Sequence, residues 1–188
     1  MFDPTVAGLG VHAITYTYTD SNGCTNSVTQ NTEVHPLPTV SFSGLAANYC
    51  LDATSATLTG LPSGGVFSGP GITGSTFDPS AAGVGTHMII YTYTDMYGCV
   101  NYDTNYTEVY SLPTVDAGSD ETICLGASAY LYATATGGKP AYSYAWSPST
   151  GLNNAFIVNP IATPSTTTTY SVTVTDDNGC TADTTFNV

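Results

Sequence analysis

In ITYTYT (residues 14–19) apolar and polar side chains alternate without a break. Ile14, Tyr16 and Tyr18 fall on one side of an extended chain, and Thr15, Thr17 and Thr19 on the other. IYTYT (90–94) and YSVTVT (170–175) keep the same two-residue period. That period, with a threonine face, predicts antiparallel strands buried on one side. TDSNGC, TDMYGC and TDDNGC continue these strands and place Asp and Gly where a tight hairpin requires them. Short strands punctuated by Gly and Pro predict an all-β protein made of tandem immunoglobulin-like β-sandwich modules in an extended array. Thr, Val, Ile and Tyr are strand formers, whereas Lys, Arg, Glu, Gln and Met are scarce, so essentially no helix is expected.

The strands belong to a repeat. Residues 2–40 align with 77–115 without a gap, at a constant offset of 75 (77 − 2), ending with TEVHPLPTV (32–40) against TEVYSLPTV (107–115). A third unit is more distant: VTVTDDNGC (172–180) answers YTYTDMYGC (91–99), and ICLG (123–126) answers YCLD (49–52). Self-similarity at a fixed period marks an array of modules. The expected division is 1–35 as the second half of a module, 36–110 as a complete one and 111–188 as another. LPTV at 37–40 and 112–115 is expected to lead stiffly into the next strand at each junction. The chain thus starts midway through its repeat, and two explanations stand open. It is a segment of a longer polypeptide, or its first half-module has strand edges that a neighbouring subunit covers by donating a strand. Repeated head to tail, that second contact builds a filament.

The modules organise the five cysteines. Cys50 and Cys99 lie near the start and end of the middle module, and Cys124 and Cys180 hold the corresponding places in the last. The expected disulfides are Cys50–Cys99 and Cys124–Cys180, each closing a loop of about 50 residues and contributing on the order of 4 kcal/mol on the chain-entropy argument. Cys24 is then unpaired or intermolecular. Disulfides at module ends point to an oxidising, extracellular compartment; reduced structural thiols are the alternative, and with no CxxC a zinc site is disfavoured.

Composition narrows the partners. One basic residue, Lys139, stands against 14 acidic ones, for a formal charge of −13. Such a surface has nothing with which to neutralise a run of phosphates or adsorb to an anionic bilayer, so neither nucleic acid nor membrane insertion is expected. No apolar run approaches the roughly 18 residues of a membrane span. No signal peptide is visible, so any export signal lies outside this chain.

Catalytic motifs are absent from the reading: there is no GxSxG, no HExxH and no phosphate-cradling loop, so no enzyme is expected. GLPSGGVFSGPG (60–71) lacks a P-loop lysine and reads as turns between short strands. His12 and His87 are repeat-equivalent and read as structural, while His35 has Tyr110 as its counterpart and reads as a tolerant linker position. Asp116, Asp120, Asp176 and Asp177 are calcium candidates, because hard cations need clustered oxygens; turn capping by Asp is the competing explanation. Otherwise no cofactor is expected. Tyr142, Tyr144 and Trp146 alternate in AYSYAWSP. They form either a face that stacks on sugar rings or, as a central-strand Trp does in immunoglobulin domains, part of a core. The Tyr-rich strands around 16–18, 91–93 and 102–110 offer aromatic surface for adhesion to glycans or neighbouring chains.

TFDPSAAGVGTHMIIYTYTDMYGC (76–99) and PTVDAGSDETICLG…YSYAWSPSTG…TTTYSVTVTDDNGC (113–180) resemble the tandem immunoglobulin-like and PKD-like modules of very large secreted Bacteroidetes surface proteins. The resemblance covers essentially the whole chain and carries no catalytic motif. It implies modules of cell-surface adhesins and extracellular fibres, exported by the type IX system through a separate C-terminal signal. It also implies O-glycosylation at Thr184, within Asp183-Thr184-Thr185. The last module departs from the PKD pattern, with AWSPSTG (145–151) in place of the WDFGDG core. The expected function is therefore a non-enzymatic, structural and adhesive repeat protein, partnered by copies of itself, adjacent modules or surface glycans. A glycan-binding or spacer module of a secreted hydrolase is the alternative.

Overall fold

The computed structural model describes residues 1–188, which divide into two compact units, each drawn from separate stretches of chain. One takes Met1–Ser43, Thr59–Val66 and Ile90–Asp103; the other takes Gly44–Leu58, Phe67–Ile89 and Thr104–Val188. The structure is nearly all β. The helices are two single turns, Pro4–Ala7 and Pro79–Ala82, at equivalent places in the repeat. Asp3 and Asp78 cap them, Pro opens each, and a glycine at φ +80° or +81° (Gly8, Gly83) closes each. The string D-P-x-x-A-G therefore carried a start and a stop that strand composition had hidden.

In the first unit, Gly10–Thr19 and Thr25–Val34 form an antiparallel hairpin paired continuously from Gly10↔Val34 to Thr19↔Thr25. Its turn is built by one carboxylate. Asp20 Oδ1 accepts the Asn22 and Cys24 backbone N–H groups, each at 2.9 Å, while the Asp20 N–H donates to the Cys24 carbonyl and Gly23 N–H to the Asp20 carbonyl. Gly23 sits at φ +84°, a conformation that closes a three-residue loop at little steric cost only for glycine. The same network recurs at Asp95–Cys99 and, in the second unit, at Asp176–Cys180.

Tyr91, on the strand Gly85–Thr94, explains the glycine-rich stretch before it. Its hydroxyl donates to the Pro62 carbonyl at 2.6 Å and accepts the Gly65 N–H at 2.8 Å. The ring lies so close over Gly60 and Gly65 that a Cβ on either would collide with it. These glycines are therefore more than turn residues: they admit the aromatic ring that seals the strand's apolar face. In the same unit His35, read as a tolerant linker position, stacks on Tyr97 at a centroid distance of 3.8 Å.

In the second unit, Ser143–Ser147, Thr169–Thr175 and Thr181–Asn187 form one sheet with Thr169–Thr175 central, and Pro113–Asp116 pairs with Thr134–Gly137. The second LPTV thus leads straight into a strand. Alternation places Tyr170, Val172 and Val174 inward, where they pack with Leu131, Trp146 and Phe186. Trp146 is 4% exposed and its Nε1–H donates to the Ile157 carbonyl at 3.0 Å. Burial with the indole N–H satisfied is the arrangement that keeps a tryptophan core stable.

The cysteines correct the expected pairing. Cys50 is bonded to Cys180, 130 residues away, and Cys24, Cys99 and Cys124 are free. Strand direction is the reason. Asn48–Cys50 pairs in parallel with the end of Val100–Tyr110, with Cys50 opposite Tyr110, whereas Cys99 precedes that strand's first residue. At about 3.3 Å per residue those positions lie roughly 35 Å apart, against the ~7 Å Cα limit of a disulfide. Likewise the Glu121 N–H donates to the Asn187 carbonyl at 3.0 Å, tying Cys124's segment to the far end of Thr181–Asn187, while Cys180 precedes its near end. That strand spans about 23 Å, more than the three residues from Glu121 to Cys124 can retrace. Closing a 130-residue separation contributes on the order of 5 kcal/mol on the chain-entropy argument.

The tyrosine–glycine clasp makes a quantitative prediction. Gly60→Ala should cost about 3 kcal/mol by overpacking, and Tyr91→Phe about 1–2 kcal/mol by leaving the Gly65 N–H unsatisfied. Urea denaturation under oxidising conditions measures both, and a neutral Gly60→Ala would contradict the packing described.

Candidate interaction surface

The first hairpin presents a face that its own repeat shows covered elsewhere. Ile14, Tyr16 and Tyr18 are 42%, 66% and 60% exposed, and Val28, opposite Tyr16, is exposed as well. Their equivalents 75 residues on, Ile89 and Tyr91, are 0% and 2% exposed. The opposite face is a threonine ladder, with Thr15–Thr29 and Thr19–Thr25 hydroxyl pairs at 2.8 and 3.0 Å. The Ile-x-Tyr-x-Tyr alternation and the turn recur at the two places, whereas the second strands differ, Asp103 standing where Val28 does, and the first hairpin is a two-stranded sheet while the other lies in a four-stranded one. Isolated two-stranded hairpins are marginal in water, and a contiguous apolar stripe on one is the kind of surface that marks association.

A second aromatic surface escaped the sequence reading. In AYLYA (129–133), Ala129, Leu131 and Ala133 are buried while Tyr130 and Tyr132 point outward. The two tyrosines line a cleft of about 290 Å³ with Asp116 and Glu121. The signal was an alternation with small and aliphatic residues inward and the aromatics out. The stripe Tyr142, Tyr144, Trp146 runs the other way: Trp146 is core, and Tyr142 and Tyr144 are half-buried against it. Of the two readings of this stripe, Trp146 takes the core one. Their alternation fills the sandwich rather than facing solvent. Thr184 is half-buried, on the same strand face as the buried Phe186.

The four acidic calcium candidates are not brought together, and no group of three His, Cys, Asp or Glu side chains suited to a metal forms. Each carboxylate has local work instead. Asp116 Oδ1 accepts the Gly118 N–H, and Asp120 accepts the Asn187 backbone N–H and Nδ2. Asp177 pairs with Lys139 Nζ at 2.7 Å. Asp176 is buried, Oδ1 accepting the Asn178 and Cys180 N–H groups and Oδ2 the Lys139 N–H. Burial alone would raise its pKa. The backbone N–H groups of Lys139, Cys180, Asn178 and Gly179 outweigh it and hold the carboxyl below its usual range. His12 and His87 are structural in the same sense: Nε2 bonds the Gly8 and Gly83 carbonyls at 2.8 and 2.7 Å, closing equivalent turns.

No family model matches the chain, and no curated protein does. Solved structures similar to it include a Ca2+-stabilised adhesin that helps an Antarctic bacterium reach out and bind ice. That match has 17% identity over 95% of this chain and 55% of the other, at a TM-score of 0.36. Sidekick-1 immunoglobulin domains 1–5 match at 11% identity over 99% and 46%, at 0.28. Protocadherin γB2 extracellular cadherin domains 3–6 match at 12% identity over 95% and 56%, at 0.27. The chain spans about half the length of each.

Two outcomes follow from the carboxylates. Asp176 has a folded pKa below its unfolded value, so its stabilisation is complete above the unfolded pKa and is lost as pH falls through the folded one. Unfolding free energy should therefore decline below about pH 4–5. Asp176→Asn turns an amide N–H toward the Lys139 N–H and should cost on the order of 2 kcal/mol at pH 7 while flattening that decline; urea titrations across pH measure both. Thermal melts with and without EDTA should coincide, because these carboxylates are already bonded to the chain; a chelator-dependent loss of melting temperature would show that a bound cation stabilises the fold.

Proposed function

We propose that this chain is a non-enzymatic, extracellular repeat protein, structural and adhesive material of a cell-surface fibre, with modules at 1–35, 36–110 and 111–188. In this reading its first hairpin takes up a segment donated by a neighbouring copy. One observation carries it: the Ile14–Tyr16–Tyr18 face lies open where the equivalent Ile89 and Tyr91 are sealed. The occupant such a face is built for is a segment like Thr59–Val66, whose two glycines admit a tyrosine ring and whose backbone offers a carbonyl and an N–H to its hydroxyl. Main-chain and hydroxyl bonds of this kind are how an added strand is held, with pockets for alternate side chains supplying specificity. The acidic surface, with one Lys and no Arg, gives trypsin-like proteases little purchase and suits exposure outside the cell. The Cys50–Cys180 disulfide suits an oxidising compartment.

The test is light scattering of the full chain across a concentration series, with the free thiols of Cys24, Cys99 and Cys124 blocked by alkylation so that only non-covalent association registers and Cys50–Cys180 stays intact. Reversible, concentration-dependent assembly is expected. Ile14→Lys with Tyr16→Lys should weaken it by roughly tenfold or more, since both anchors sit at the centre of the contact. A parent that stays monomeric throughout, or a double variant that assembles equally well, would remove strand donation from the reading.

A further inference from the structure

A strand bonds along both edges, with successive residues serving opposite ones. Along AYLYA (129–133) one edge is taken. Ala129 pairs with Ala162, and the Leu131 and Ala133 N–H groups donate to the Pro160 and Val158 carbonyls, each at 3.0 Å. Tyr130 and Tyr132 therefore turn their N–H and C=O groups to the other edge, where no group of the chain bonds them.

The segment that would have covered that edge is diverted. Pro113–Asp116 pairs with Thr134–Gly137, and the pairing stops at Asp116↔Thr134. Asp116 Oδ1 then accepts the Gly118 N–H, and Gly118 takes a φ of +77° that turns the chain aside. Beyond the turn the chain is tied elsewhere. Asp120 accepts the Asn187 backbone N–H and Nδ2, and the Glu121 N–H donates to the Asn187 carbonyl. The cleft of about 290 Å³ lies between the diverted segment and the open edge, with the buried Ala117 and Phe186 in its lining. Neither chain end lines it, and no basic residue does. The Glu121 carboxylate, Asp116 Oδ2 and both tyrosine hydroxyls have no partner within the chain.

We propose that this edge binds an extended, basic peptide segment of another protein, added as a strand alongside Tyr130–Tyr132. Free N–H and C=O groups recur there at every second residue, the spacing that a peptide backbone matches. Side chains of the added strand beside Tyr130 and Tyr132 point outward. Two carboxylates and two exposed rings favour Lys or Arg at those positions, by charge attraction and by cation–π contact. The side chain between them points inward, toward Ala117 and Phe186, where a small residue such as Val or Thr fits. A second copy of this chain is the wrong occupant, because 14 acidic residues against one Lys set it against the same carboxylates. Charge at an open edge is also how self-pairing is discouraged. The site lies within the second unit and acts independently of strand donation at the first hairpin.

The full chain, isotope-labelled and with its free thiols alkylated, is titrated at low ionic strength with a capped octapeptide alternating Lys and Thr, and read by NMR. Saturable binding is expected, weakened by added salt, with the largest amide shifts at Tyr130 and Tyr132. Two further peptides carry N-methyl groups at every second residue, one at the lysines and one at the threonines. The one whose methyls face the edge should bind at least tenfold more weakly than the other. Glu121→Gln, which removes no bond within the chain, should weaken binding roughly two- to fivefold. Both methylated peptides binding as the parent does, or a peptide alternating Glu and Thr binding equally well, would overturn the proposal. So would shifts confined to other residues, or none up to millimolar peptide. Displacement of the peptide by a neutral oligosaccharide such as cellohexaose would overturn it too, by assigning the cleft to a glycan.

Discussion

A strand pair whose side chains alternate carries one apolar face, and that face has to be covered by chain from elsewhere. Everything else in this protein follows from how that requirement is met at three equivalent hairpins. In the last, the cover is a sandwich core centred on Trp146, Val172 and Phe186. In the middle, it is the glycine-rich segment that Tyr91 clasps through Pro62 and Gly65. At the first hairpin Ile14, Tyr16 and Tyr18 stay exposed. Hydrophobic burial is non-directional, so it sets the need for a cover without choosing its source. The hydroxyl bonds of Tyr91 and the bare Cα atoms of Gly60 and Gly65 make the choice specific, since only a segment with those features admits the ring.

The hairpin turn is the second constraint, and it is electrostatic. One aspartate oxygen takes two backbone N–H groups at each of Asp20, Asp95 and Asp176, and so sets the direction of the cysteine that follows. The turn places that cysteine at one end of its strand pair. The parallel pairing of Asn48–Cys50 with the end of Val100–Tyr110 places the opening cysteine at the other end. Cys50 is therefore bonded to Cys180 and not to Cys99.

Much of this was legible in the residues. Period-two alternation located the long strands, D-x-x-G-C located their turns, and the 75-residue offset identified equivalent positions, all because these are short-range consequences of side-chain type. The capped single-turn helices were equally legible in D-P-x-x-A-G, although strand composition drew attention away from them. AYLYA could have been read with its tyrosines outward, since the alternating partners are Ala and Leu. The stripe Tyr142, Tyr144, Trp146 could not be assigned to core or surface, because alternation shows that three side chains share a face and not which way that face points.

By itself the sequence determined the strands, the turns, the repeat and the two classes of cysteine, for each of these depends on neighbours a few residues away. Only the tertiary structure decided which cysteines meet, which aromatic face is buried and which acidic residues stay apart. Those outcomes depend on strand direction and on which distant segment covers each sheet. Equivalence between repeats leaves both free, because one hairpin sequence is compatible with a cover from its own module, from another module or from another chain.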